Sequence, residues 1–397
     1  MNTVIKNARI YTMARDKIIK NGYVEFSGNK ILGTGSMKDF TFSGSDKKEI
    51  IDAKGGWLLP GFIDAHTHLG MYEDGLRNEG DDLNEVTDPS TPHLRAIDAV
   101  NPIDRTFTEA LAAGVTTVAT GPGSANPISG QFAVIGTYGR RIDDMIIKSP
   151  AGMKFALGEN PKNCYGSKNE MPETRMATAA IIRENLKKAL KYSEKKNEAL
   201  ESCGDDDKDE PDFDAKSEAL MPVITGGLDA HFHAHRADDI FTAIRICGEF
   251  GLNYVIVHCT EGHLIARELA EENVRAVIGP IISDRSKPEL RNLELKNAKV
   301  LHEAGILFAV TTDHPVVPLQ YLPYCAALCV KGGLDYYEAL KAITINPAII
   351  LGIDGIAGSI EAGKRADLVL YDGNPLEILS SVKLVAAGGK IINTGGN

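Results

Sequence analysis

The middle of the chain repeats one phrase of apolar and polar positions: an amphipathic helix, a Gly or Asn stop, then a short apolar run. Glu109-Ala110-Leu111-Ala112-Ala113-Gly114 leads into Val115-Thr116-Thr117-Val118, and Leu301-His302-Glu303-Ala304-Gly305 leads into Ile306-Leu307-Phe308-Ala309-Val310. Gly248-Glu249-Phe250-Gly251 leads likewise into Tyr254-Val255-Ile256-Val257. Glycine just past a helix end suits the left-handed cap conformation. Apolar strands alternating with helices predict parallel βαβ units with both sheet faces covered. Eight strands are expected near 59–65, 115–120, 132–136, 151–157, 223–233, 254–258, 274–279 and 306–312. The predicted fold class is α/β, a (β/α)8 TIM barrel, with a doubly wound open sheet as the alternative.

The two ends of the chain follow a different pattern. Residues 1–57 alternate in short runs such as Tyr23-Val24-Glu25-Phe26, broken by Gly and Asn as in hairpins. Residues 357–397 do the same, with Ala366-Asp367-Leu368-Val369-Leu370-Tyr371 and Leu384-Val385-Ala386-Ala387. Neither end can make a core alone, so both are expected to form one small β-sandwich domain flanking a catalytic barrel of residues 58–356. Residues 193–218 stand apart: a charged helix runs into the acidic stretch Cys203-Gly204-Asp205-Asp206-Asp207-Lys208-Asp209-Glu210. Its spacing does not match an EF-hand, and it reads as a solvated insertion between the fourth and fifth strands.

Composition narrows the partners. The 397 residues suit one barrel of about 250 residues plus an accessory domain. A net charge of −11 argues against nucleic acid or an anionic membrane, both of which call for basic patches. No basic leader with an apolar core opens the chain and no apolar stretch approaches 18 residues, so a cytoplasmic enzyme is expected. The six cysteines form no CxxC pair and read as free thiols, Cys259 as a packing residue.

Histidine placement changes the picture most. Of ten histidines, eight lie in four tight groups, 66/68, 231/233/235, 258/263 and 314, the last beside Asp313; His93 and His302 are scattered and read as structural. Residues i and i+2 of a strand share a face, so His66 and His68 can bind one ion from one side. His233, His258 and Asp313 each close a later apolar run, and Lys154 lies in another. Imidazole and carboxylate are ligands for zinc and similar ions. All these residues fall at or just inside the C-terminal ends of predicted strands, where a (β/α)8 barrel builds its active site. His231 and His235 compete with His233, since all three share a face by the same period.

The chain resembles the amidohydrolase superfamily, specifically its imidazolonepropionase-related branch. The likeness rests on Pro60-Gly61-Phe62-Ile63-Asp64-Ala65-His66-Thr67-His68, His233-Ala234-His235-Arg236, His258-Cys259-Thr260-Glu261-Gly262-His263, Thr311-Thr312-Asp313-His314-Pro315, Asn346-Pro347-Ala348 and Gly358 to Leu368. The resemblance implies one or two divalent ions, zinc first, with iron or manganese as alternatives. It assigns His66, His68 and Asp313 to the first ion, and His233 and His258 to the second. It makes Lys154 a carboxylated bridge, with Glu159 as the rival bridge. Asp313 would then be the general base of a C–N bond hydrolysis, acting on a cyclic or small peptide-like amide. His235, Arg236, Glu261, His263 and Arg175 are candidates for substrate contact. The chain departs from the branch at Ala234-His235-Arg236, where imidazolonepropionases carry His-Ala-Asp, so a different amide bearing a nearby carboxylate is expected, paired by Arg236 or Arg175. A mononuclear deaminase of the same superfamily and a scaffold that has lost its site are the competing readings. A homo-oligomer is compatible with all three.

Overall fold

The computed structural model describes residues 2–15, 18–41, 48–201 and 211–392. Its central sheet is a nearly closed barrel of eight strands: β1 (Phe62–Thr67), β2 (Val115–Thr120), β3 (Ile128–Gly136), β4 (Ile146–Ala156), β5 (Ala230–Ala234), β6 (Tyr254–His258), β7 (Arg275–Ile278) and β8 (Leu307–Val310). Neighbours in sequence are neighbours in the sheet throughout. The helix-to-strand glycines behave as their position demands: Gly251 ends the helix Ala237–Phe250 at φ 64°, its N–H donating to Cys247 O. Gly114 and Gly305 have φ of 83° and 79°.

Two expectations are corrected. The third strand is not one more parallel unit, because β3 runs antiparallel to both β2 and β4. The reason is chain length: residues 121–127 form no helix and are too few for the crossover that parallel pairing requires. The fifth strand is also shorter than 223–233. Helix Ala215–Ile224 takes the first two of those residues, and a turn through Gly226, at φ 76°, separates it from β5.

The chain ends build a second sheet, the small β-sandwich domain. Its path runs Lys390–Ile392, Val382–Ala387, Leu368–Tyr371, Trp57–Pro60, Asn2–Tyr11, Ile18–Ser27, Lys30–Ser36, with Lys48–Asp52 pairing beside the first half of Asn2–Tyr11. Trp57–Pro60 is the join, parallel to Arg9–Ile10 and antiparallel to Leu368–Tyr371. Ile5, Ile10, Phe26, Leu58, Leu368 and Leu384 fill a core separate from that of the barrel.

The run predicted as one strand at 59–65 therefore serves both domains and changes sheet at Gly61. A Cβ there would lie 2.1 Å from Thr116 Oγ1, closer than atoms can approach, so only glycine lets the two sheets meet. Gly114 plays the same part against Val369, which a Cβ would meet at 2.5 Å.

Between β4 and β5, helix Arg175–Glu201 packs against Ala215–Ile224, joined by Lys188–Asp214 at 2.7 Å and Tyr192 Oη donating to Glu218 Oε1 at 2.7 Å. The acidic run at 202–210 lies outside the described residues. The five described cysteines are unpaired, and Cys259 is buried in the core as a packing residue. Among the described residues no helix is long and apolar enough to cross a membrane.

Candidate metal centre

A single feature fixes the floor of the site. The sheet ladder is open between β8 and β1, and the side chain of Asp64 spans that seam. Asp64 Oδ2 accepts from Thr312 N at 2.9 Å and Thr312 Oγ1 at 2.7 Å, while Oδ1 accepts from His66 N at 3.1 Å and lies 2.6 Å from Thr311 Oγ1. The same threonine hydroxyl receives Asp313 N at 3.0 Å. One buried carboxylate thus ties the strand bearing His66 to the segment bearing Asp313. Burial raises its pKa to about 6 against the pull of those donors. The sequence reading assigned Asp64 no role, although a charged residue between Ile63 and Ala65 in an apolar strand must find donors inside the core.

Above Asp64 the candidate ligands converge. Asp313 Oδ1 lies 3.3 Å from His68 Nε2 and 3.7 Å from His66 Nε2. His66 Nε2 is also 3.0 Å from Lys154 Nζ, which rises from β4 and is 1% exposed. Ligand atoms of His66, His258 and Asp313 all fall within 4.8 Å of one another, and so do those of His233, His235 and His258. His258 and Asp313 sit at strand ends in left-handed backbone, φ 74° and 53°, a strained state that needs support from its surroundings.

The donor chemistry suits a divalent ion. His68 Nδ1 is 2.7 Å from Gly121 O and His258 Nδ1 is 2.7 Å from Gly279 O. A carbonyl only accepts, so each ring carries its proton on Nδ1 and turns the Nε2 lone pair inward, the tautomer a metal ligand requires. Burial holds His66, His233 and His258 well below the usual imidazole range, so all three are neutral. Burial pushes the Asp313 carboxyl up, and the groups facing it, Lys154 among them, draw it down to about 2. Lys154 is lowered to about 7 by burial, with Asp313 opposing. Asp313 Oδ1 is buried and has no hydrogen-bond partner.

These groups face a cleft of about 540 Å³ lined by His68, Lys154, His233, His235, His258 and Asp313, with Asn160 and Lys287 toward its mouth. The other substrate-contact candidates are not brought there. Arg175 is held by Asp239 through two bonds of 2.8 and 3.1 Å, and Arg236 by Asp238 at 2.9 and 2.8 Å. Glu261 accepts from Ala237 N at 2.8 Å and Asn292 Nδ2 at 2.7 Å, which ties two loops together. His263 lies in the turn Gly262–Leu264, away from the cleft. Glu159 opens the helix Glu159–Gly166 and accepts from Asn163 at 3.2 Å, outside the cleft lining to which Lys154 belongs. His231 is buried two residues deeper on β5 with both ring nitrogens unpartnered.

A barrel with imidazole, carboxylate and amine groups converging at its C-terminal end is the architecture of a metal-assisted hydrolase. Residues 57–209 and 225–394 match the model of the Amidohydrolase family, and the chain belongs to that family of hydrolytic enzymes. It is 41% identical to the crystal structure of an amidohydrolase from Thermotoga maritima MSB8, with a TM-score of 0.93 over 98% of this chain and 99% of that one. It is 29% identical to Amidohydrolase tasK of Hapsidospora irregularis over 91% of its own length but only 38% of that protein. It is 25% identical to a 5-methylthioadenosine/S-adenosylhomocysteine deaminase of Bacillus cereus, over 99% of this chain and 92% of the relative. An imidazolonepropionase of Rhizobium meliloti is 24% identical over 94% and 92% of the two chains.

Proposed function

We propose that the protein is a metal-dependent amidohydrolase that cleaves the C–N bond of a cyclic or small peptide-like amide, with Asp313 as general base. The observation that carries this reading is Asp313 Oδ1, a buried carboxylate oxygen without a hydrogen-bond partner that faces two imidazoles in the cleft. One or two divalent ions, zinc first with iron or manganese as alternatives, would supply Lewis acidity for the carbonyl and lower the pKa of water from 15.7 to about 7. His66, His68 and Asp313 would hold one ion, and His233 and His258 the other. Lys154, carboxylated on its amine, would reach both sets. Its support is the burial of Nζ against His66 Nε2.

Asp313 takes the proton of the attacking water and returns it to the leaving nitrogen, so one carboxylate serves both halves of the reaction. A carboxylate this acidic is ionised throughout the neutral range, which a base requires. The substrate we propose is an amide with a nearby carboxylate: an N-acyl amino acid, a dipeptide or a small lactam acid. Arg175 and Arg236 are occupied by acidic partners, and Lys287, which lines the mouth with its Nζ 3.4 Å from Asn160 Oδ1, is the cation that can receive that carboxylate.

The test is a panel of such amides offered to zinc-, iron- and manganese-loaded protein, with imidazolonepropionate, aminopurines and aminopyrimidines as controls. Release of an amine and a new carboxylate from the amides is the expected result. Ammonia released from the aminopurines or aminopyrimidines instead would make the protein a deaminase. Full activity in folded, metal-free protein would remove the metal from the reading.

A further inference from the structure

Glu289 comes from the long segment between β7 and β8 and is as deeply buried as the strand-borne ligands, at 2% exposure. Its Oε2 accepts the Glu159 N–H at 3.2 Å, at the start of helix Glu159–Gly166. The same oxygen sits against Gly158, at φ 85°, where a Cβ would come within 3.1 Å of it. The carboxylate is therefore clamped, and Oε1 points the other way. That oxygen is buried and has no hydrogen-bond partner. It lies 3.6 Å from His235 Nε2 and 3.9 Å from His233 Nε2, too far for a hydrogen bond to either ring.

A buried carboxylate oxygen with nothing to accept is costly, and a pair of imidazoles at these distances suggests what relieves it. A tetrahedral ion with bonds of about 2.1 Å holds its donors about 3.4 Å apart, close to the spacing here. His235 is turned for that role, since its Nδ1 is 2.8 Å from Thr260 Oγ1 and its Nε2 faces Glu289. His233 and His235 stand together with His258, the ligand atoms of the three within 4.8 Å of one another, and Glu289 approaches this trio from the His235 and His233 side.

We infer that Glu289 is a metal ligand, joining His233 and His235 at a divalent cation on the β5 side of the cleft. The inference rests on the metal dependence proposed above and extends it to a donor that no strand carries. It also makes His235 a ligand in place of a substrate contact.

Two measurements test it, neither of them turnover. Zinc and cobalt titrations compare the intact protein with Glu289→Gln, whose carbonyl still accepts the Glu159 N–H and so preserves the clamp. The expected result is zinc binding weakened at least about 10-fold, the scale seen when even indirect partners of a metal ligand are lost, together with a changed cobalt absorption spectrum. Anomalous scattering from zinc-soaked crystals of the intact chain should place an ion within about 2.2 Å of Glu289 Oε1, whatever the variant does to folding. Unchanged titrations and spectrum in Glu289→Gln, or an ion beyond bonding reach of Oε1, would overturn the assignment and leave metal dependence standing. An intact protein that retains no zinc would remove both.

Discussion

The two halves of the candidate metal centre are built on different principles. The β1 and β8 half takes His66, His68 and Asp313 from strand ends and fixes their backbone through Asp64, which bonds to both segments across the open seam. The β5 and β6 half takes His233, His235 and His258 from strand ends as well, but orients them with single partners: Thr260 for His235, and the Gly279 carbonyl for His258. Its carboxylate arrives from a loop. The first half is set by the same bonds that close the barrel, so its geometry and the protein's stability stand together. The second half is oriented by bonds that cross no open seam of the barrel. Perturbing the Asp64 network that carries the first should cost stability and function together, and perturbing the single partners of the second should cost ion affinity alone.

The largest effect is expected from Asp313→Asn. The amide keeps the size of the carboxylate and its backbone bond to Thr311, so the fold should survive while turnover falls by about 10²–10⁴-fold, the share of a positioned proton-transfer group. Single-turnover assays on metal-loaded protein measure it. Near-normal turnover would move the base elsewhere and dissolve the functional privilege of this half.

Lys154 stands between the halves, and the next prediction asks to which it belongs. Lys154→Ala should lower the metal bound per chain, and short carboxylic acids should restore part of it by supplying the missing oxygens. Glu159→Ala should leave the metal content unchanged, because Glu159 bonds to Asn163 outside the donor group. Elemental analysis of both variants reads the result, and the reverse pattern would make Glu159 the bridge.

The contrast also explains which parts were legible in the sequence. Histidines at period-two spacing on apolar runs announce a shared face, so the convergence of the β1 and β5 histidines could be read in advance, and His258 followed from its place at the end of an apolar run. Asp64 left a signal that went unused, a carboxylate inside an apolar strand. Glu289 left none, because the segment at 281–296 has no periodicity and its approach to β5 is a tertiary contact that no local pattern encodes. The reversed β3 was hidden for a related reason: its apolar pattern reads the same in either direction, and only the short connection at 121–127 betrays it. Arg175 and Arg236 misled because a sequence shows a charge but not its partner, and here each partner is an aspartate nearby in the fold.

Asp64→Asn should strike both properties of the first half at once. The amide has one acceptor oxygen where the carboxylate has two, and its NH2 would face the donors of Thr312. Leaving buried donors without an acceptor costs about 1–3 kcal/mol each, so a loss of about 2–4 kcal/mol is expected in denaturant unfolding. Turnover should fall with it as His66 and Asp313 lose their common anchor. A variant as stable as the parent but inactive would show that Asp64 acts on the chemistry alone.

The smallest effect, and the sharpest test of the contrast, is Thr260→Val. The substitution keeps shape and β-branching and removes one oxygen, the partner of His235 Nδ1 at 2.8 Å. Stability should move by no more than about 1 kcal/mol, the net worth of one such bond. The His235 ring, free to rotate or to change tautomer, should no longer hold Nε2 toward Glu289, and affinity for an ion on this side should fall about 10-fold. Thr311→Val is the matched substitution in the other half. Its hydroxyl meets Asp64 Oδ1 at 2.6 Å and Asp313 N at 3.0 Å, so the same chemical change should lower the unfolding free energy by about 2 kcal/mol or more. Equal stability losses in the two variants would mean that both halves are woven into the fold alike, and the distinction between them would fail.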